Sequence, residues 1–141
     1  MNTAIKISLL ASGLFLLTGM LLGVLKYLRI MASPEHRAPV YVDIAHRASF
    51  LYSFASLVIA KLLEYSPFPV AVQVLAASIP LFYFGVTILE YTVLGLRNRT
   101  ENQFSERNFI TTWGMYMLII GEIGGLSAIL WGFISTQVIG R

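Results

Sequence analysis

The feature that most constrains this chain is a set of four separate, mostly apolar stretches, each long enough to cross a bilayer as a helix. A helix rises about 1.5 Å per residue against a hydrocarbon core of about 30 Å, so about 20 apolar residues suffice. The stretches run from about Ile5 to Tyr27, Val42 to Glu64, Val70 to Leu96 and Phe109 to Val138. They predict an all-α fold, an integral membrane four-helix bundle with short loops, forming a single domain over residues 1–141.

Composition agrees with that expectation. The chain is 57% hydrophobic and only 12% charged, with a mean hydropathy of +0.74, whereas soluble domains carry about 25% charged residues. Once four helices use most of the 141 residues, the loops cannot hold a second core, and any active site must lie between helices or at their ends. The net charge is +3 and the sequence pI about 9.4, yet the ten basic residues scatter along helix flanks without forming a face. Lipid phosphates, rather than nucleic acid, are the expected anionic neighbour. The absence of cysteine excludes a disulfide, a thiolate nucleophile, an iron-sulfur cluster and a thiolate-ligated metal.

The first stretch has Lys6 at its entry and Lys26 and Arg29 at its exit. It is longer than the apolar region of a signal peptide and lacks a clear small-x-small cleavage site, so a retained helix is expected. Pro34 and Pro39 break the first loop, and Ser66-Pro67-Phe68-Pro69 forces the second and third stretches into an antiparallel hairpin. Cytoplasmic loops retain Lys and Arg. Lys26, Arg29, Arg37 and Arg47 on the first loop, with Arg97, Arg99 and Arg107 on the third, account for seven of the ten basic residues, leaving Lys6, Lys61 and Arg141 on the other side. Both long loops are therefore expected in the cytoplasm and both termini outside. The Asn98-Arg99-Thr100 sequon would face the cytoplasm and carries no weight.

Gly19 and Gly23 lie four apart, and Gly114, Gly121, Gly125, Ala128, Gly132 and Ser135 follow helical spacing in the fourth stretch. Small residues in such a stripe let backbones approach where lipid already satisfies apolar side chains, which predicts a tight helix contact within the chain or with another copy. Pro80 removes a backbone bond from the third stretch and predicts a kink, unless the segment breaks there.

Glu122 sits near the middle of the fourth stretch, where an ionised carboxylate costs at least about 2.5 kcal/mol. It reads as a proton carrier, general acid or base, or substrate anchor; the alternative is a hydrogen-bonded group that ties helices together. Glu90, nearer the boundary, reads as a snorkelling or paired side chain. His46, Ser49, Ser53, Ser56, Ala60 and Glu64 succeed one another in steps of three and four, a small polar stripe that must face protein or a cavity. His46 at its head has the chemistry to ligate a metal or haem iron or to shuttle a proton, and beside Arg47 it equally suits a headgroup contact. His36 lies in a loop that reads as solvated surface. Tyr52, Tyr83, Tyr91 and Tyr116 offer hydroxyls to a dry pocket, although tyrosines commonly serve as interface belts and core filler. The Asn102-Gln103 amides are expected to cap the fourth helix.

Ala45-His46 at the start of the second stretch, Leu51, and small residues at Ser49 and Ser53 give a pattern that resembles hydroxylaminobenzene mutase and styrene oxide isomerase. Tyr52 stands where that family usually has asparagine, six residues after the histidine. The resemblance implies a homo-oligomer, a trimer, with haem b near the subunit contacts and His46 as axial ligand. It implies isomerisation of a small apolar substrate with the iron as Lewis acid; on this chain's own residues, Tyr52 and Glu122 are the catalytic candidates for substrate contact. A second resemblance, to membrane-associated glutathione and eicosanoid enzymes, rests on Arg-Ala-type residues around His46 and stops at Ala48, Ser49, Leu51 and Tyr52. Two further readings stand beside the isomerase: a non-catalytic subunit or assembly factor of a larger membrane complex, docked through the glycine stripe, and a proton-coupled carrier using Glu122.

Overall fold

In a computed structural model, described over residues 1–105 and 108–140, the chain is all-helical, with no strand among the described residues. Helix α1 spans Thr3–Ala32, α2 Val40–Leu63 and α3 Val70–Arg97; a π-helical turn, Ile110–Gly114, runs directly into α4, Met115–Gln137. Of the basic residues used for orientation, Arg107 and Arg141 lie outside the described residues.

Local chemistry sets the helix ends. The Asn2 side chain accepts from the Ile5 N–H at 3.0 Å and starts α1. Pro34 follows its end, and Pro39 immediately precedes α2. At the other side of α2, Lys61 pairs with Glu64 at 2.6 Å, and Gln73 holds the connection to α3 by donating to the Phe68 carbonyl at 2.7 Å. Asn98 ends α3 in the left-handed region, φ 46°, with its N–H on the Leu94 carbonyl. The expectation that Asn102 and Gln103 cap the fourth helix is corrected: Asn108 and Thr111 exchange hydrogen bonds of 2.9 Å there. Asn102 instead closes a local turn on the Phe104 N–H, and the Gln103 N–H donates to the Tyr41 hydroxyl at 2.6 Å. The capping residue must lie next to the first turn, and the π-helical turn begins at Ile110, eight residues after Asn102.

Three helical segments, Thr3–Ala32, Val70–Arg97 and Ile110–Gln137, are long and apolar enough to cross a membrane. Asp43, His46, Arg47 and Lys61 leave α2 more polar. Helix α2 is flanked on two sides: α1 lies along α2, α2 packs on α3, and α3 carries α4. Helix α4 touches α2 only slightly and makes no contact with α1 among the described residues, so α2 and α3 form the shared middle. Asp43 there takes ion pairs from both Lys26 of α1 and Arg47.

The serine stripe of α2 faces protein, as its spacing predicts: Ser49, Ser53 and Ser56 are buried, while Glu64 at its end is exposed. Their hydroxyls are already used. Ser49 and Ser56 donate to the carbonyls of Ala45 and Tyr52 on their own helix, whereas Ser53 crosses to α1. Ser53 donates to the Ser12 carbonyl at 2.8 Å and the Ser12 hydroxyl donates back to the Ser53 carbonyl at 2.9 Å, a reciprocal clamp. Interhelical bonds of this kind contribute about 1 kcal/mol each in lipid. Ser53→Ala is therefore expected to lower unfolding free energy in mixed micelles by about 1 kcal/mol, and adding Ser12→Ala by about the same again, measured by equilibrium denaturation.

Pro80 does not break α3, which continues through it. The proline cannot donate to the carbonyl of Ala76, one turn back. That oxygen faces Gly125 of α4: a Cβ on Gly125 would lie 2.7 Å from the Ala76 oxygen and 2.7 Å from the Pro80 ring. Thus the helix irregularity and the glycine stripe meet at one point, where only a glycine backbone fits and its Cα–H can approach the freed carbonyl. Further along α4, Gly121 sits against Tyr83 and Ile79, and Gly132 against Phe68. The tight contact expected of the stripe is made to α3 and its leading loop.

Candidate functional site

Each sequence candidate projects from a different part of this arrangement. Tyr52 points from α2 toward α3, its ring stacked on Phe84 at 4.3 Å and 12°. Phe84, Thr87 and Tyr91 share one face of α3 through the steps of three and four. The Glu122 carboxyl of α4 lies within electrostatic range of both Tyr52 and Tyr91 and makes no hydrogen bond to either. At the loop end the cluster continues: Tyr91 packs on Tyr41 at 5.8 Å, and the Tyr41 hydroxyl accepts from Gln103.

The polar atoms at the centre are conspicuously unsatisfied. Thr87 is 5% exposed, and its Oγ1 faces the Tyr52 hydroxyl without closing a hydrogen bond. Glu122 Oε1 is also buried with no hydrogen-bond partner. An unmade bond at a buried polar atom costs about 1–3 kcal/mol, and an unpaired buried carboxylate costs more. A proton or a bound cation between Glu122 and the tyrosines removes that cost. The arrangement has an acid, two phenols and a hydroxyl, which can hold, pass or exchange a proton.

His46 goes elsewhere. Its Nδ1 lies 2.8 Å from the Gly19 carbonyl of α1, which can only accept, so Nδ1 carries a hydrogen and Nε2 is the nitrogen left for any other partner. The ring fills the space at Gly23, where a Cβ would come within 2.9 Å of Cε1, and Phe50 fills the space at Gly19 and meets His46 edge-on at 5.0 Å. The Gly19 and Gly23 pair therefore admits two aromatic rings between α1 and α2. The chain brings Tyr52 and Glu122 together; it does not bring His46 to them. A step of six residues turns a helix through well over a full revolution, so the two side chains of α2 leave on different faces.

Glu90 is in none of the ion pairs among the described residues. Tyr83 is spent on Gly121, and Tyr116 lies exposed beside Trp113. The sequence reading passed over Thr87 and Gly95. Thr87 is one of several threonines in apolar helices, and its signal is its three-residue spacing from Phe84 and four from Tyr91. Gly95 is a lone glycine, yet a Cβ there would lie 2.6 Å from the Val42 backbone nitrogen, which marks a close approach of α3 to α2. Comparison of the chain with protein-family models, curated proteins and solved structures yields no match.

Proposed function

We propose that the chain is an integral membrane protein, a four-helix bundle crossing the bilayer four times, and that it is a proton-coupled carrier working through Glu122. In this reading both long loops are cytoplasmic, both termini are outside, and α2 crosses because its neighbours cover its polar stripe. One observation carries the functional part: Glu122 Oε1 and Thr87 Oγ1 are buried and unpartnered, Thr87 beside Tyr52 and Glu122 within electrostatic range of Tyr52 and Tyr91. Glu122 releases one proton to the aqueous side; the carboxylate left behind accepts hydrogen bonds from the Tyr52 and Thr87 hydroxyls, or is neutralised by a small lipophilic cation. The stacked Tyr52 and Phe84 rings, with Tyr91, offer such a cation aromatic faces. The test is proton movement in proteoliposomes that hold a pH gradient, started by adding tetraphenylphosphonium. Vesicles with the protein that behave like protein-free vesicles overturn the reading.

A second reading is favoured by the His46 geometry. An imidazole whose Nδ1 donates to a backbone carbonyl has its orientation set and its Nε2 free, the usual arrangement of an axial ligand. His46 would then hold haem b in an isomerase built as a trimer, the iron supplying Lewis acidity. The His46 and Phe50 rings already fill the space at Gly19 and Gly23, so a haem held by His46 would need room outside this chain's own α1–α2 contact. Protein purified from haem-supplied cells is then expected to show a Soret band that His46→Ala removes. Colourless wild-type protein eliminates this reading and leaves the carrier untouched.

A further inference from the structure

Beyond the ends of α1 and α3, at the level where α2 begins, lies a polar cavity of about 560 Å³. Arg29, Arg37, Glu35 and Glu101 line it, with Asn98 and the start of α2 at Val40. The two rims are shaped by backbone turns: His36 and Asn98 are the two non-glycine residues with positive φ, 51° and 46°, among the described residues. They fold the α1–α2 connection and the chain after α3 around the same space.

The charges in this cavity are not spent on one another. The ion pairs among the described residues are Lys26 and Arg47 with Asp43, and Lys61 with Glu64. Arg29, Arg37, Glu35 and Glu101 are all exposed to solvent and take part in none of them; among the described residues Glu35 accepts from the neighbouring Ser33 hydroxyl at 2.9 Å. Two guanidinium groups and two carboxylates around one concavity suit a ligand that carries both signs. The start of α2 presents backbone N–H groups and favours an anion, whereas the last turn of α1 presents carbonyls that Arg29, on that turn, complements.

We infer that this cavity binds a phosphate ester bearing a primary ammonium, the headgroup of phosphatidylethanolamine. Arg29 and Arg37 take the phosphate oxygens, for which their planar forks are suited, and Glu35 and Glu101 accept hydrogen bonds from the ammonium. A trimethylated ammonium has no N–H to give, and a glycerol headgroup has no positive charge, so phosphatidylcholine and phosphatidylglycerol satisfy only the phosphate half. The inference rests on the membrane part of the reading above, not on the proton chemistry of Glu122.

The experiment is native mass spectrometry of the full chain from mild detergent, titrated with dioleoyl phosphatidylethanolamine, phosphatidylcholine and phosphatidylglycerol. Phosphatidylethanolamine is expected to be retained about tenfold more strongly than the other two, the size of one charge-assisted hydrogen bond. Glu101→Gln with Glu35→Gln is expected to erase that preference while phosphate binding persists; Arg37→Gln is expected to weaken all three lipids. A parallel arm uses water-soluble phosphoethanolamine: lipid binding without it assigns the bilayer as the source, and equal binding with the same residue dependence assigns a free phosphate ester. Equal retention of the three lipids by wild-type protein, or variants that leave the preference unchanged, overturns the inference. Carbonate extraction separates the two levels. Chain in the washed membrane pellet with no headgroup preference sinks the cavity alone, and chain in the supernatant sinks the membrane reading with it.

Discussion

In proteoliposomes holding a pH gradient, Glu122→Gln is expected to cut cation-driven proton movement by about a hundredfold or more, the scale of removing a positioned proton-transfer group. The substitution keeps the shape of the side chain and supplies an amide that cannot exchange a proton, so the protein should still be extracted and run as the wild type does. Glu122→Asp restores the chemistry at a shorter reach and is expected to retain part of the flux. Thr87→Val provides the sharper contrast. Its hydroxyl is buried and makes no hydrogen bond, so replacing it with an isosteric methyl group should raise stability by about 1 kcal/mol, since an unmade bond is lost rather than a made one. The same change is expected to slow flux by about tenfold if the proton path runs through Tyr52, because the Tyr52 hydroxyl loses its polar neighbour. Stability rising while activity falls is the signature of a working group. Thr87→Val protein that melts lower and transports normally would assign Thr87 to packing.

Gly125→Leu is expected to detach α4 from α3. Even a Cβ would lie 2.7 Å from the Ala76 carbonyl oxygen and 2.7 Å from the Pro80 ring, and neither can swing away, since one is backbone and the other a ring fused to it. Overpacking of this kind costs about 1–3 kcal/mol, and the longer side chain adds the loss of the whole glycine contact. Gly124→Leu is the control, because a Cβ there meets nothing within 4 Å. Thermal unfolding in detergent should drop sharply for Gly125→Leu and stay near wild type for Gly124→Leu. Pro80→Ala tests the same point from the other side: it restores the N–H for Ala76, and a Gly125→Ala variant in that background should still be destabilised, because the steric clash with the carbonyl persists. A Gly125→Leu protein as stable as wild type would mean that α4 does not rest on α3 through this glycine.

Much of this architecture is legible in the chain. Helix limits follow from Pro34, Pro39, Pro67 and Pro69 and from the length of the apolar runs, because a helix satisfies its hydrogen bonds within its own segment. The period of the α2 stripe correctly marks Ser49, Ser53 and Ser56 as inward-facing, since that needs only the helical repeat. Glu122 stands out on composition, one acid in an apolar helix. The capping residue was misread because Asn102, Asn108 and Gln103 are chemically alike, and the choice depends on where the π-helical turn begins.

The pairings were not legible. His46 heads the serine stripe in the chain, yet its ring turns to α1 and the Gly19 carbonyl, while Tyr52 on the same helix turns to Phe84 and Glu122. The glycine stripe announces a close contact without saying that its partner is the carbonyl freed by Pro80. Nor does anything in the order of residues predict that α1 and α4 stay apart among the described residues, with α2 and α3 between them. The division has a physical cause. Helix formation and apolar length are local and one-dimensional, written in consecutive residues. Which face meets which depends on close packing between segments far apart in the chain, where apolar side chains give no directional signal and a few small residues and hydrogen bonds decide the outcome.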